Sequence, residues 1–166
     1  MRFLPKYLNV LLAIITVMAA GLVPAFAEGT KPPEPGGTES PHIVEFFLGN
    51  TRADTPTGDE NALSVGTSYH YLINPTVSIG LLGEYASDPL DSWVVGAPVI
   101  FRVGEGWHLT AMPGLEREQG ESEFLFRVGA GYEFELNGYS LKPEVSADFV
   151  DGDLAIVTGI SIGLRF

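Results

Sequence analysis

From His42 onward the chain alternates apolar and polar residues in one stretch after another, and a period of two admits strands and little else. Between 123 and 136 one face reads Phe124, Phe126, Val128, Ala130, Tyr132, Phe134 and Leu136, and the other Glu123, Leu125, Arg127, Gly129, Gly131, Glu133 and Glu135. Between 139 and 150 the faces are Tyr139, Leu141, Pro143, Val145, Ala147 and Phe149 against Ser140, Lys142, Glu144, Ser146 and Asp148. Comparable stretches cover 42–53, 62–73, 77–87, 93–104, 107–118 and 153–166, eight strands in all, and no window has a helical period. Asn74-Pro75, Gly104-Glu105-Gly106 and Asn137-Gly138 make tight turns at one end, while 54–61, 88–92 and 119–122 are longer connections at the other, joined by the tight Asp151-Gly152. Asn-Gly and Asp-Gly are the strongest short hairpin signals. Consecutive strands are therefore antiparallel, an all-β up-and-down meander.

The distribution of aromatics decides which face meets what. On the apolar faces Tyr85, Trp93, Phe124, Phe126 and Phe149 gather toward one rim, and Tyr69, Tyr71, Phe101, Trp107, Tyr132, Phe134, Tyr139 and Phe166 toward the other. Between them lie small or aliphatic residues such as Val65, Leu81, Val95, Ala111, Ala130 and Ile160. Two aromatic girdles around an aliphatic band mark a barrel that crosses a bilayer. The opposite faces carry Gly66, Gly80, Gly96, Gly114, Gly129, Gly131, Gly159 and Gly163 among the charges. Missing side chains there leave room for long Arg, Lys and Glu chains inside a narrow eight-stranded lumen. The apolar face thus meets lipid and the charged face lines the interior. Strands of this length cover the ~9–11 residues that a tilted membrane strand needs.

The front of the chain fits a secreted protein. Arg2 and Lys6 precede an apolar run from Leu8 to Ala20, and Ala25-Phe26-Ala27 forms a small-x-small cleavage site. Residues 1–27 read as a cleaved signal peptide, too short and wrongly flanked for an anchor. Residues 28–41, EGTKPPEPGGTESP, read as a disordered Pro/Gly-rich leader. The barrel then occupies 42–166. After residue 27 the chain holds all 21 acidic residues but 7 of the 9 Lys and Arg, a formal charge of −14. That disfavours nucleic acid as a partner. With no Cys, lipoprotein processing, disulfides and thiolate chemistry are excluded.

A signal peptide, eight alternating strands and a terminal strand ending in Leu164-Arg165-Phe166 resemble the small Gram-negative outer-membrane barrels of the OmpA/OmpX type, over about residues 42–166. The resemblance implies an eight-stranded antiparallel transmembrane β-barrel in the outer membrane, monomeric and in contact with lipid and lipopolysaccharide. It also implies that Phe166, ending the strand from Gly159, is the signal read by the barrel-assembly machinery. The chain departs from those relatives in the short connections at its outer rim and in lacking an appended peptidoglycan-binding domain.

Inside the lumen, parity places Glu84, Arg102, Glu116, Arg127, Glu133, Lys142, Glu144, Asp148 and Arg165, an expected ionic network that fills and stiffens the barrel. A two-residue Asn137-Gly138 turn sets Glu133 opposite Lys142 and Arg127 opposite Asp148. Pro143 cannot donate to the ladder opposite Tyr132, and a bulge there would shift everything beyond it, so the Glu133–Lys142 pair is the firmer expectation. His70 and His108 also face inward, without metal-pair spacing. Ser68 and Thr110 lie within two residues of them as conceivable nucleophiles. Outer-membrane deacylases of this size carry their Ser/His pair toward lipid, whereas these histidines face the lumen, so no enzyme activity and no cofactor are expected. The outer rim carries twelve acidic residues, among them Asp54, Glu118, Glu121, Asp151 and Asp153, against Arg117 alone, a solvated acidic face. The expected role is structural or surface interaction. The alternatives are a narrow pore, a lipid-modifying enzyme and a soluble periplasmic ligand-binding barrel.

Overall fold

The computed structural model describes residues 40–55, 58–118, 120–136 and 139–166. The signal peptide, the leader up to residue 39 and the Asn137-Gly138 turn lie outside the described residues. The elements are β1 His42–Thr55, β2 Gly58–Asn74, β3 Val77–Ala86, β4 Ser92–Gly96, β5 Val99–Val103, β6 Trp107–Glu118, β7 Glu121–Tyr132, β8 Phe134–Leu136, β9 Tyr139–Val150 and β10 Asp153–Arg165. β4 and β5 both bridge β3 to β6, so they are two halves of one stave. β7 and β8 lie in turn along β9 and form another. Eight antiparallel staves result. β10 pairs with β1 from Ile43↔Arg165 to Ala53↔Ala155 and closes the barrel.

The faces fall as the alternation requires. Leu81 is 66% exposed and Trp93 56% on the outside, while Arg127 is 5% and Lys142 4% exposed within. Girdle aromatics pack against each other, Tyr85 with Trp93 at 4.8 Å between ring centroids and Trp107 with Tyr132 at 5.2 Å. At the inner end of the seam the His42 ring stacks on both Tyr69 and Phe166, each at 6.0 Å.

The strand boundaries differ from expectation in three places. The loop expected over 54–61 is mostly strand, with Ala53↔Glu60, Asp54↔Asp59 and Thr55↔Gly58 continuing the β1–β2 ladder. A hairpin leaving lipid for water keeps its hydrogen bonds, so the membrane surface does not end the strand. The stave expected as continuous over 93–104 breaks at Ala97-Pro98, because proline has no N–H for the ladder. There the Ala97 N–H donates to Pro113 O and the Gly80 N–H to Pro98 O, so the interruption leaves those groups satisfied. Next to Tyr132, which stands opposite Pro143, the partner stave is interrupted at Glu133, whose N–H donates to Gly106 O in line with the β6–β7 register. The register nevertheless does not slip: Leu136↔Tyr139 on one side and Gly131↔Glu144 on the other keep the same alignment.

Inside, the Phe47 ring lies over the facing pair Gly49↔Gly159, where a Cβ on either glycine would strike that ring and a backbone carbonyl, Thr158 O or Leu48 O. Gly83, on the outer surface, has nothing within 4 Å of such a Cβ. Gly159→Ala is therefore expected to lower unfolding stability by about 1–3 kcal/mol, the usual cost of overpacking. Gly83→Ala should stay within about 0.5 kcal/mol. Urea unfolding followed by fluorescence of Trp93 and Trp107 reads both.

Candidate functional site

Among the described residues charge and burial coincide in the lumen, and Arg127 is its centre. β6 and β9 flank β7 at this level through Met112↔Arg127 and Arg127↔Asp148. The guanidinium donates from Nε to Asp148 Oδ1 at 2.6 Å and from Nη2 to Oδ2 at 2.7 Å, a bidentate pair. On its other side Nη1 reaches Glu84 Oε2 at 2.7 Å and Nη2 reaches Oε1 at 3.3 Å. Glu84 comes from β3, on the far side of the lumen in chain order, and both carboxylates are buried. One planar fork thus ties three staves together across the barrel, a geometry that Lys could not reproduce.

A second group sits nearer the inner end. Lys142 Nζ donates to Glu45 Oε2 at 2.6 Å and lies 3.8 Å from Glu144 Oε2. Ser161 Oγ donates to Glu144 Oε1 at 2.7 Å. The expected Glu133–Lys142 pair is not formed. Glu133 falls at the break between β7 and β8, and its carboxylate stands 3.7 Å from Arg102 Nε. The Arg127–Asp148 pair, judged the less secure, has the closer contact. The nine lumen residues therefore divide. Glu84, Arg127 and Asp148 form one cluster, Lys142 and Glu144 a second with Glu45, and Arg102 and Glu133 a third. Glu116 lines a cavity at the outer mouth, and Arg165 faces Ile43 at the inner end of the seam.

Three features escaped the sequence reading. Glu45 supplies the closest partner of Lys142 from 97 residues away. The lumen also has an apolar layer, in which Val94, Met112 and Leu125 pack together with Leu82 and Val150. Met112 fits there because Gly96 on the neighbouring stave has no side chain in its way. Finally, Leu90 of the β3–β4 connection folds into the outer mouth against Ala62 and Ala86. The Tyr85 hydroxyl donates to Asp91 at 2.8 Å and holds that connection in place.

Neither histidine is set in a nucleophile–base–acid relay among the described residues. Ser68 Oγ lies 2.7 Å from His70 Nε2, and Glu45 Oε2 approaches that same nitrogen at 3.3 Å. A nucleophile–base–acid relay needs the acid on the other nitrogen, and His70 Nδ1 has no hydrogen-bond partner. His108 Nε2 is 4.0 Å from Glu144, beyond hydrogen-bond reach. Between the ion clusters remains a cavity of 40 Å³, against 490 Å³ for the one at the outer mouth.

Closure of eight antiparallel staves with lipid-type outer faces and a charged interior settles the architecture. The fold is that of the small eight-stranded outer-membrane β-barrels. Neisserial surface protein A (NspA) superposes with a TM-score of 0.66 at 15% identity, over 78% of this chain and 100% of that one. The N-terminal β-barrel domain of Pseudomonas aeruginosa OprF gives 0.59 at 15% identity over the same shares. Ail, the attachment invasion locus protein of Yersinia pestis, solved with the heparin analogue sucrose octasulfate, gives 0.55 at 14% identity over the same shares. No protein family and no curated protein matches the chain by sequence.

Removing Arg127 would strand two buried carboxylates. Arg127→Met is expected to cost about 3–5 kcal/mol in urea unfolding. Adding Glu84→Gln and Asp148→Asn should recover most of that loss, since the bare charges go with the partner. For Lys142, Glu45→Gln should lower the unfolding midpoint more than Glu133→Gln, the reverse of what strand register alone implies.

Proposed function

We propose that this chain is an integral outer-membrane barrel of the NspA, OprF and Ail kind, whose lumen is closed and whose role is structural or one of surface interaction rather than transport or catalysis. The observation that carries the closed lumen is the Arg127 clamp. Glu84, Arg127 and Asp148 are all at most 5% exposed and span the section from β3 to β9. The apolar layer of Met112 and Leu125 lies beside it, so neither a hydrated ion nor a small solute has a continuous polar route. The 40 Å³ cavity beyond is about the size of one or two waters.

The outer-membrane address is supported by the lipid-type outer band, by the signal-peptide pattern of residues 1–27 and by the fold shared with NspA and OprF. The final strand, Gly159 to Phe166, presents Ile160, Ile162, Leu164 and Phe166 outward to lipid. That is the surface through which we expect the assembly machinery to read it. Lipopolysaccharide is the expected outer neighbour, and a monomer suffices because closure leaves no full-length edge to pair.

Fractionation combined with unboiled and boiled gel migration tests the address. The expected result is a band confined to the outer membrane that shifts on boiling. A soluble, unshifted band would move the proposal to a periplasmic protein whose girdles are a core. Planar-bilayer recording tests the lumen. The native barrel should be silent, and discrete openings that change with Arg127→Met would establish a pore instead.

A further inference from the structure

The inner half of the lumen holds a chain of titratable groups that the Arg127 clamp does not use. His70 Nε2 lies 3.3 Å from Glu45 Oε2, and Lys142 Nζ lies 2.6 Å from that same oxygen. Lys142 Nζ is also 3.8 Å from Glu144 Oε2, and His108 Nε2 is 4.0 Å from that oxygen in turn. The chain runs from β2 through β1 and β9 to β6 and ends on an imidazole at each side. Lys142 and one imidazole thus converge on a single carboxylate oxygen, once at Glu45 and once at Glu144. Both histidines are 3% exposed, and among the described residues neither Nδ1 has a hydrogen-bond partner. No bond at Nδ1 therefore fixes the protonation of either ring.

Charge decides what such a chain does. Histidine is the side chain that gains a proton in mild acid. A charged ring carries N–H on both nitrogens, so His70 Nε2 then donates to Glu45 Oε2 and His108 Nε2 is drawn to Glu144 Oε2. Three cations would crowd two carboxylates, in an interior where an unmatched charge is costly. The member free to leave is Lys142, a point charge on a flexible stem. It has a place to go. The β7–β8 alignment along β9 sets Glu133 opposite Lys142, and Glu133 stands 3.7 Å from Arg102 Nε, beyond hydrogen-bond reach. The other groups at this level leave the move open. Ser68 and Gly80 flank His70, and His108 has Arg102 opposite it on β5 and Gly131 opposite it on β7. Glu84, Arg127 and Asp148 are bonded to one another nearer the outer mouth.

We infer that the inner lumen is a proton-operated exchange of ion-pair partners, in which charging His70 and His108 hands Glu45 and Glu144 to the imidazoles and moves Lys142 to Glu133. The protons come from water at the inner mouth and return there when the pH rises. The two histidines act as a unit because both compete with the same ammonium. The pair that strand register alone implies, Glu133 with Lys142, is the pair of the acid state. The Arg127 clamp keeps all its bonds, so the exchange reports acidity on the inner side without opening the barrel.

Nuclear magnetic resonance on the full chain, folded in detergent micelles and checked for heat-modifiable migration, tests the exchange. At about pH 7.5 the Lys142 side chain should show its contact with Glu45; by about pH 5.5 that contact should be lost and one with Glu133 gained. In His70→Gln/His108→Gln the contact with Glu45 should persist at both pH values. His70→Gln alone should also keep it in acid, which serves where the double variant does not fold. A Lys142 contact pattern that stays constant across this range in the native chain would overturn the inference. So would a change of partner that proceeds equally in the histidine variants, since protons on the carboxylates would then be its cause.

Discussion

The seam between β1 and β10 is the constraint on which everything else depends. Hydrocarbon offers no partner to a backbone N–H or C=O, so an open sheet with these outer faces would carry two unsatisfied edges into lipid. The ladder from Ile43↔Arg165 to Ala53↔Ala155 removes both edges at once. Once eight staves close, the circumference is set, and so is a lumen only wide enough for its own side chains. Each later feature is a consequence of that width. Phe47 can lie inside because Gly49 and Gly159 beneath it have no side chains, and Met112 because Gly96 has none.

A narrow interior lined by charges raises a difficulty that a soluble protein avoids. Desolvating an ion costs several kcal/mol, and a pair seldom gains much over a hydrophobic substitute. Here the apolar residues are needed outside, against lipid, so the polar positions have nowhere to point but inward. The structure answers by saturating its central cation. Arg127 meets four carboxylate oxygens from two staves, and Lys142 draws on carboxylates from β1 and from its own strand. The inner end is less complete, with His70 Nδ1, Ser78 Oγ, Arg102 Nη1 and both His108 nitrogens buried without partners. At the Arg127 level the neighbouring Met112 and Leu125 pack beside the clamp, so its hydrogen bonds come from the two carboxylates.

What the sequence shows and what it hides follow from the range of the interactions. Strand count, facing and hairpin register are local, written in a period of two and in the turn residues, and Arg127↔Asp148 follows from them. The break at Glu133, next to the residue opposite Pro143, does not displace the register, because the bonds on either side already fix the alignment. Contacts across the lumen are another matter. They depend on the stagger with which the seam closes, and no single hairpin encodes it. Glu45 meets Lys142 and Glu84 meets Arg127 only after closure, at separations of 97 and 43 residues. That is why a network readable as nine inward charges resolves into separate clusters, with Glu45 as a partner that hairpin logic could not supply. The hidden apolar layer has the same origin: Leu125 and Met112 sit on faces that the charged residues had marked as polar.

The same physics partitions the molecule along its axis. At the Arg127 level the charged side chains are at most 5% exposed, so an unbalanced charge there would be costly and composition is tightly constrained. At the outer rim, water and salt screen charges over about 8 Å. Glu opposite Glu on β6–β7 and Asp54 opposite Asp59 on β1–β2 therefore cost little. Those hairpins are also the staves that rise past their neighbours, keeping their ladders where lipid no longer enforces them. A barrel built this way can change its outer hairpins without disturbing the clamp that holds its wall together. The sequence features that distinguish this chain from other barrels of its size should therefore be sought above the girdle of Tyr85 and Trp93, where recognition can vary while the fold stays fixed.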